Sequence, residues 1–307
     1  MKQLYHFCIT CHSEVLFRDE EDVRSITNIL ALEAFNCQIE LWVDAVMSTH
    51  IHGIGVGEEK QLIRLCQTLK MRITKFHRNR HHGSGPLFDD GYFLLPVDGN
   101  KHTLAALSYV LRNGLHHAQS ATPFSYPHCT ANHLFRKDLG KAPEHPAITS
   151  RQDIARLLPR RSEFPDSFAM DSSGMLLRST FEQIQLVEHH YRTPRCFDYY
   201  MSRLSGEEWK KEQIEDSTEG APISLESLEP AYESISEMLS SEKGHNYAPD
   251  RLSDMDVCQI IDTQYIPALH KLSVYQLSQE QRFRIGRDLE RRLHIPLRQL
   301  RRCLAIR

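Results

Sequence analysis

The sequence has 307 residues, of which 40% are hydrophobic and 25% charged, an ordinary globular mixture that excludes a fibrous or wholly disordered chain. Its 37 basic and 40 acidic side chains give a formal net charge of -3, which by itself argues against a nucleic-acid binder. The sequence contains no run of about 18 apolar residues and no apolar core of a secretory signal, which predicts a protein without a membrane span. Eight cysteines without a secretory context predict reduced thiols and a cytoplasmic location.

Strand and helix patterns alternate up to residue 118. Strands are predicted from alternating or β-branched runs, and helices from apolar residues three and four positions apart. In chain order the predicted elements are a strand over 4–12, a helix over 22–35, strands over 39–46 and 50–56, a helix over 58–78, a strand over 92–97 and a helix over 101–118. This order predicts an α+β fold, with a mainly antiparallel sheet and helices on one face.

Beyond residue 118 the pattern becomes irregular and then acidic. Four prolines between residues 123 and 146 indicate a domain boundary near 145. Residues 146–205 contain a predicted hairpin at Asp171–Gly174 and form an accessory region of unknown role. Residues 206–256 carry fourteen acidic side chains against four basic ones, and are predicted to be an acidic linker or a partly disordered segment.

Residues 257–307 are predicted to form a basic helical tail that binds DNA. Ser278 predicts a helix N-cap, and Gln281 three residues later completes a capping box. A turn predicted at His294–Pro296 separates this helix from a second one that carries arginines. The pair predicts a small helix-turn-helix, and an αα-hairpin that packs on the main domain is the alternative.

Basic residues are concentrated in two segments, with the acidic belt between them. Residues 60–82 carry seven lysines and arginines and no acid, and residues 279–307 carry nine arginines against three acids. Such segregation is typical of a phosphate-binding surface, although solvated helix faces would show the same pattern. The residues predicted to contact DNA are Lys60, Arg64, Lys70, Arg72, Lys75, Arg78, Arg80, Arg298, Arg301 and Arg302.

A His-x-His pair on a predicted strand is the strongest local sign of chemistry. His50 and His52 point to the same face, because side chains alternate along a strand. Two adjacent imidazoles can hold one divalent metal. In a chain with 18 histidines such pairs also arise by chance. The pair alone therefore does not distinguish a metal site from a chance pair of histidines.

A tyrosine and an amide lie four residues apart on the predicted helix over 101–118. Tyr109 and Asn113 therefore share one face, and Tyr109 points about 200° away from Leu107 in the apolar stripe. This predicts a phenol outside the core, beside an amide that could be a third metal ligand; an exposed surface tyrosine is the alternative. With a Lewis-acid metal on a phosphodiester, such a phenol could attack the phosphorus and hold it covalently.

Several stretches, in their order along the chain, resemble the single-tyrosine HUH transposases, and among these the REP-associated tyrosine transposases. The stretch Asp44–His52 resembles their His-hydrophobe-His motif. The further matching stretches are Phe17–Glu20, Gly85–Phe88 followed by Phe93, and Tyr109–Asn113. The resemblance covers residues 1–137 and, more weakly, 275–307.

Three residues depart from the pattern of that family. Ser48 and Thr49 stand where the family usually has Pro-Asn before the first histidine. Gly114 stands where it usually has proline after the ligand asparagine. The departures leave the proposed nucleophile and ligands in place.

The resemblance implies a HUH endonuclease domain of ferredoxin-like fold over residues 1–145. It implies that Tyr109 is the nucleophile and that His50, His52 and Asn113 are the metal ligands. The implied enzyme depends on Mg²⁺ or Mn²⁺ and nicks single-stranded DNA near a hairpin. It forms a 5′-phosphotyrosine and a free 3′-hydroxyl and then transfers the strand.

The implied partner is single-stranded or hairpin DNA, bound by a monomer or a homodimer at the bacterial nucleoid in the cytoplasm. Two alternatives remain open. One is a domesticated, sequence- or hairpin-specific DNA-binding protein without cleavage, and the other is a metallo-phosphoesterase that uses water. Tyr92 and Tyr126 are rival nucleophiles, but Tyr92 lies in an apolar strand and Tyr126 has no ligand partner at helical spacing.

Overall fold

The structure is a computed structural model that describes residues 1–11, 13–159, 162–202 and 251–306. The acidic segment predicted over 206–256 lies, up to residue 250, outside the described residues. Across the part of the chain that is described, no helix is long and apolar enough to cross a membrane.

Within the described residues, a four-stranded antiparallel sheet in the order β2-β3-β1-β4 forms the centre of the fold. The strands are β1 (Gln3–Thr10), β2 (Glu40–Val46), β3 (His50–Gly57) and β4 (Phe93–Val97). Helix α1 (Glu20–Asn36) joins β1 to β2, and helix α2 (Glu59–His81) joins β3 to β4. This β-α-β-β-α-β unit has ferredoxin-like topology, and the predicted α+β class with an antiparallel sheet is confirmed.

Shorter helices follow β4. Up to residue 202 they are α3 (Gly99–Leu111), α4 (Asn113–His116), α5 (Arg151–Leu157), α6 (Ile184–Tyr191) and α7 (Pro194–Ser202), with 3-10 turns at Thr130–His133 and Arg178–Thr180. The C-terminal residues form α8 (Asp254–Ile260), a π-helical segment (Ile261–Tyr265), a turn (Ile266–Ala268), a 3-10 turn (Val274–Gln276), α9 (Gln279–Leu293) and α10 (Leu297–Cys303). The helix predicted over 101–118 is therefore broken at Arg112 into α3 and α4.

Helices cover both faces of the sheet, whereas the sequence predicted helices on one face. On the first face Phe7 and Ile51 pack in one core with α1 and α2, as predicted. On the second face Val43 and Ile54 pack in another core with α3, α6 and α7. Strands covered on both sides are buried along their whole length, and β1 is indeed buried at every position after Gln3.

A fully buried ion cluster ties residues 146–202 to the sheet. The Arg178 guanidinium pairs with Asp44 of β2 and, at 2.7 Å, with Oε1 of Glu182. The hydroxyl of Thr130 donates to the same Glu182 oxygen at 3.0 Å. The three side chains of Arg178, Asp44 and Glu182 are at most 1% exposed, so they are stabilised by one another rather than by water.

Replacing Glu182 with glutamine is expected to weaken the pH dependence of stability. Burial raises the pKa of Glu182 well above its ordinary value of 4.5; the Arg178 charge opposes this, and Asp44 raises the pKa further. The folded state thus keeps a proton that the unfolded chain releases above about pH 4.5, so this group's contribution to the free energy of unfolding falls as pH rises.

Urea unfolding of wild type and Glu182→Gln between about pH 5 and 8 checks this prediction. Other groups titrate equally in both proteins, so the difference between the two curves isolates Glu182. The free energy of unfolding of wild type, relative to that of the variant, should fall as pH rises. Parallel curves would show that Glu182 is ionised in the folded protein.

Residues 251–306, called here the C-terminal module, build a small core of their own and dock on the sheet domain. Val257 of α8 packs with Val15 and with the apolar faces of α9 and α10. Nε of Arg18 pairs with Asp262 at 2.8 Å, and Nη1 donates to the Cys303 carbonyl at 2.8 Å.

The helix pair predicted in this module is confirmed as α9 and α10. Ser278 and Gln281 form the predicted capping box, and His294, at φ 54°, ends α9. The pair packs on the main domain, as the αα-hairpin alternative describes.

Candidate functional site

His50 and His52 lie on the sheet face that α3 covers. Both side chains point to this face from β3, and their ring centroids are 4.9 Å apart. Both residues are buried. Gly53 follows them because the ring of Phe7 on the neighbouring strand occupies the space that a side chain would need.

Helices α3 and α4 bring Tyr109 and Asn113 onto the histidine pair. His50 Nε2 lies 3.3 Å from Asn113 Oδ1, and the rings of His52 and Tyr109 meet edge to face with centroids 5.3 Å apart. Asn113 Nδ2 donates to the Tyr109 carbonyl at 3.0 Å, which directs the amide oxygen toward His50. The structure therefore brings together the four residues that the sequence predicted as nucleophile and metal ligands.

Tyr109 is only 5% exposed, so the prediction that it projects away from the core is wrong. Helical periodicity identified one apolar stripe, but α3 is enclosed between the sheet and the α6–α7 layer. On the side away from the sheet, Ser108 Oγ is hydrogen-bonded to Tyr191 Oη of α6 at 3.0 Å. The phenol ring thus packs on histidines inside the protein.

His6 of β1 is a site residue that sequence reasoning missed. Its Nε2 lies 3.1 Å from His52 Nδ1, and its ring meets that of Tyr109 with centroids 5.6 Å apart. Burial, with a smaller effect of His102, lowers the pKa of His6 to about 3, so His6 is neutral at pH 7. Strand alternation could have placed His6 beside His52, but only once the pairing of β1 with β3 was known.

His117 is a second missed residue. Its ring centroid lies 5.0 Å from that of His50. Burial lowers the pKa of His117 well below its ordinary value, and positive charge on His50, His116, Arg302 and Arg298 lowers it further. In an unbroken helix over 101–118 the side chain near the face of Tyr109 and Asn113 would be His116, but the helix break at Arg112 puts the His117 ring against His50.

His50 Nε2 and Asn113 Oδ1 are donor atoms 3.3 Å apart, close enough to bind one divalent cation together. Burial is the largest cause that lowers the pKa of His52 well below its ordinary value, so its ring is neutral, as a ligand must be. His52 Nδ1 lies 3.1 Å from His6 Nε2, and His52 Nε2 lies 3.9 Å from the Cys8 sulfur. One ring nitrogen oriented by a neighbour and the other directed elsewhere is the arrangement of metal-binding histidines.

The basic residues predicted on α2 lie on the opposite side of the sheet from the histidine pair, because α2 packs in the first core. Lys60, Arg64 and Lys75 are exposed, and Lys60 Nζ pairs with Glu58 Oε2 at 2.8 Å. The others have intramolecular partners: Lys70 donates to the Gly91 carbonyl at 2.9 Å, and Arg72, Arg78 and Arg80 pair with Glu33, Glu14 and Asp19. The structure does not bring these residues and the histidine site together.

The arginines predicted on α10 lie beside the site. Arg298 and Arg301 are exposed, and Arg302 Nε pairs with Asp254 Oδ2 at 2.6 Å. That carboxylate oxygen also accepts from Ser48 Oγ at 2.6 Å. The C-terminal module is therefore joined to the turn between β2 and β3.

The turn at Met47–Thr49 leads directly into the histidine pair. Thr49 Oγ1 lies 3.1 Å from His50 Nδ1, and Ser48 contacts the C-terminal module. Gly114, the other departure from the family pattern, lies where the Tyr126 side chain leaves no room for a Cβ atom. Ser48 and Thr49 thus make contacts at the edge of the site, and Gly114 leaves room there for Tyr126.

No family model and no curated protein sequence matches this chain. Among solved structures, it is similar to a REP-associated tyrosine transposase bound to a REP hairpin, with 13% identity over 48% of this chain and 88% of that chain, at a TM-score of 0.37. It is also similar to a Deinococcus radiodurans R1 protein named as a transposase, with 20% identity over 37% of this chain and 91% of that chain, at a TM-score of 0.29. Both similarities cover less than half of this chain.

Proposed function

We propose that this protein is a metal-dependent transesterase of single-stranded or hairpin-forming DNA, of the single-tyrosine HUH transposase type. The observation that supports this most is the meeting of Tyr109 with His52, and of Asn113 with His50, across a strand and a helix. A phenol, two imidazoles and an amide are the groups that covalent, metal-assisted cleavage of a phosphodiester needs.

His50, His52 and Asn113 would hold the divalent ion. Imidazole nitrogen suits Mn²⁺ better than Mg²⁺, which prefers carboxylates, phosphates and water, so the donor set favours Mn²⁺. When bound, the ion polarises the phosphate as a Lewis acid.

In the proposed reaction Tyr109 Oη forms a bond to phosphorus while the bond from phosphorus to the 3′-oxygen breaks. The phenol proton ends on that oxygen, so the products are a 5′-phosphotyrosine and a free 3′-hydroxyl. Attack by a 3′-hydroxyl on the phosphotyrosine reverses the step and joins the strand again. His6 and His52 pack against the phenol ring and orient it for both directions.

Removal of divalent ions is expected to abolish cleavage while the protein stays folded. Neutral imidazoles and an amide carry no charge. Without the ion, His50, His52 and Asn113 therefore cannot offset the negative charge of the phosphate. Labelled hairpin-bearing strands, incubated with protein after EDTA treatment and again after addition of Mn²⁺, are separated on denaturing gels. Activity should return with Mn²⁺ in wild type and in the surface variant His189→Gln, but not in His50→Gln. Cleavage that persists in EDTA would contradict the proposal.

A metallo-phosphoesterase in which water attacks is the second candidate function. The burial of Tyr109 favours this water mechanism. A small water molecule reaches a bound phosphate more easily than the phenol of a side chain that is packed inside the protein. The two candidates differ in one product, the covalent protein–DNA adduct, which only the tyrosine mechanism forms.

Replacing Arg298 with glutamine is expected to weaken DNA binding several-fold and to reduce the slope of affinity against salt by about one. Arg298 lies on α10, whose Arg302 is joined through Asp254 to Ser48 next to the histidine pair, so we expect a strand entering the site to pass it. Arg64→Gln removes an exposed arginine from α2, on the far side of the sheet, and should leave both quantities unchanged. Titrations of a labelled hairpin at several salt concentrations measure both variants. An equal loss in Arg64→Gln would show that the DNA also follows α2.

A further inference from the structure

A second cluster of metal-ligating side chains lies between α1 and α2, on the sheet face opposite His50 and His52. Asp22 comes from the first turn of α1, and His77 and His81 lie four residues apart near the end of α2. One ligand atom from each lies within 4.8 Å of the others. His81 Nε2 is 2.8 Å from Asp22 Oδ2, and the two imidazole centroids are 4.7 Å apart.

His77 is the unusual member of the cluster. It is fully buried, and neither of its ring nitrogens has a hydrogen-bond partner among the described residues. A buried polar group without a partner is destabilising, and such a group in a native protein indicates a missing water or ion. Tyr275 of the C-terminal module covers the ring edge to face at 5.7 Å, but this contact does not involve a hydrogen bond to the nitrogens.

The arginines around the cluster are paired with carboxylates. Three arginines lie near it, but each has a carboxylate partner other than Asp22. Arg18 pairs with Asp262, Arg78 with Glu14, and Arg80 with Asp19 and Glu21. Arg80 Nη1 also donates to Asp22 Oδ1 at 2.6 Å and lies 3.3 Å from His81 Nε2. Asp22 Oδ2 accepts from the Arg18 backbone N–H at 2.8 Å and lies 2.8 Å from His81 Nε2.

We propose that Asp22, His77 and His81 bind one Zn²⁺ ion, with the fourth position open to water. Zinc bonds of about 2.0 to 2.2 Å place tetrahedral ligand atoms about 3.3 Å apart, and the separations in the cluster, 2.8 Å and up to 4.8 Å, lie on either side of this. Two imidazoles and one carboxylate select zinc over Mg²⁺ or Ca²⁺, which prefer all-oxygen sites. The ion would tie α1 to α2 and satisfy His77, and it is separate from the ion of the proposed DNA reaction.

The test uses the full chain with His50→Gln and His52→Gln, which removes the ligands of the other proposed ion. After dialysis against Zn²⁺ or Co²⁺, this protein should retain one ion per chain by mass spectrometry, and the Co²⁺ form should show the visible absorption of a four-coordinate site. Adding His81→Gln should remove the ion, because it deletes a partly exposed ligand and leaves the core intact. Adding His189→Gln, a matched change at an exposed histidine on α6, should retain it.

Thermal unfolding supplies a second measurement. Zn²⁺ should raise the midpoint in the His189→Gln protein and leave it unchanged in the His81→Gln protein. If His81→Gln does not fold, Asp22→Asn replaces it, and loss of the ion is again expected. Absence of an ion from the His50→Gln, His52→Gln protein, or its retention after His81→Gln, overturns the proposal. Neither measurement involves DNA, so failure of the proposed DNA reaction leaves this test unaffected.

Discussion

Replacing Tyr109 with phenylalanine is expected to abolish the covalent protein–DNA product and to reduce strand cleavage at least about 10³-fold. The change removes only the attacking oxygen. The ring remains and keeps its packing on His6 and His52, so metal and DNA binding should persist. A 3′-labelled hairpin-bearing strand reports the adduct on a denaturing gel, and a 5′-labelled strand reports the released fragment.

Tyr92→Phe is the matched control for this experiment. Tyr92 lies next to β4 and packs against the first core, away from the histidine pair. The Tyr92→Phe protein should therefore cleave DNA as wild type does. Tyr126 is a poorer control because its hydroxyl donates to the Val46 carbonyl at 2.8 Å and supports the fold. Unchanged cleavage in Tyr109→Phe would assign the attack to water. Tight binding without cleavage in either protein would favour the DNA-binding protein that lacks catalysis.

Replacing Arg178 with methionine is expected to lower the free energy of unfolding by about 3 to 5 kcal/mol. Methionine fills much of the same space but leaves the Asp44 carboxylate, next to the Glu182 carboxyl group, buried without a cation. Within the described residues, Asp44 Oδ1 and Glu182 Oε2 have no hydrogen-bond partner that could replace the guanidinium charge. Urea unfolding at neutral pH measures the loss.

Arg151→Met is the control for the removal of an arginine as such. Arg151 pairs with Asp166 at the surface, where both side chains are more than nine-tenths exposed, and its loss should leave stability unchanged within error. An effect of Arg178→Met no larger than that of the control would show that the cluster is not held by charge. Because Asp44 lies on β2, next to the strand of His50 and His52, a large effect should also reduce DNA cleavage.

The C-terminal module contacts the histidine site through a chain of polar contacts. Arg302 pairs with Asp254, Asp254 accepts from Ser48, and Ser48 is two residues before His50. The basic helix pair is therefore positioned beside the site by specific bonds as well as by its core. A strand bound at the site would meet the charges of α10 before those of α2.

Local patterns in the sequence were sufficient to predict the strands and the two long helices of the sheet domain. They also predicted the C-terminal helix pair. Apolar residues three and four positions apart over 58–78 predicted α2. The capping box of Ser278 and Gln281 predicted the start of α9. The two-residue spacing of His50 and His52 predicted their common face. These features depend on residues a few positions apart, which interact in the same way wherever the element packs.

Only the tertiary structure decided which side chains surround the site and which charges remain exposed. It buried Tyr109, added His6 and His117, and paired Arg72, Arg78 and Arg80 with carboxylates. It also placed α10, rather than α2, next to the histidines. Each of these outcomes depends on packing between segments far apart in the chain, so the spacing of neighbouring residues contains no information about it.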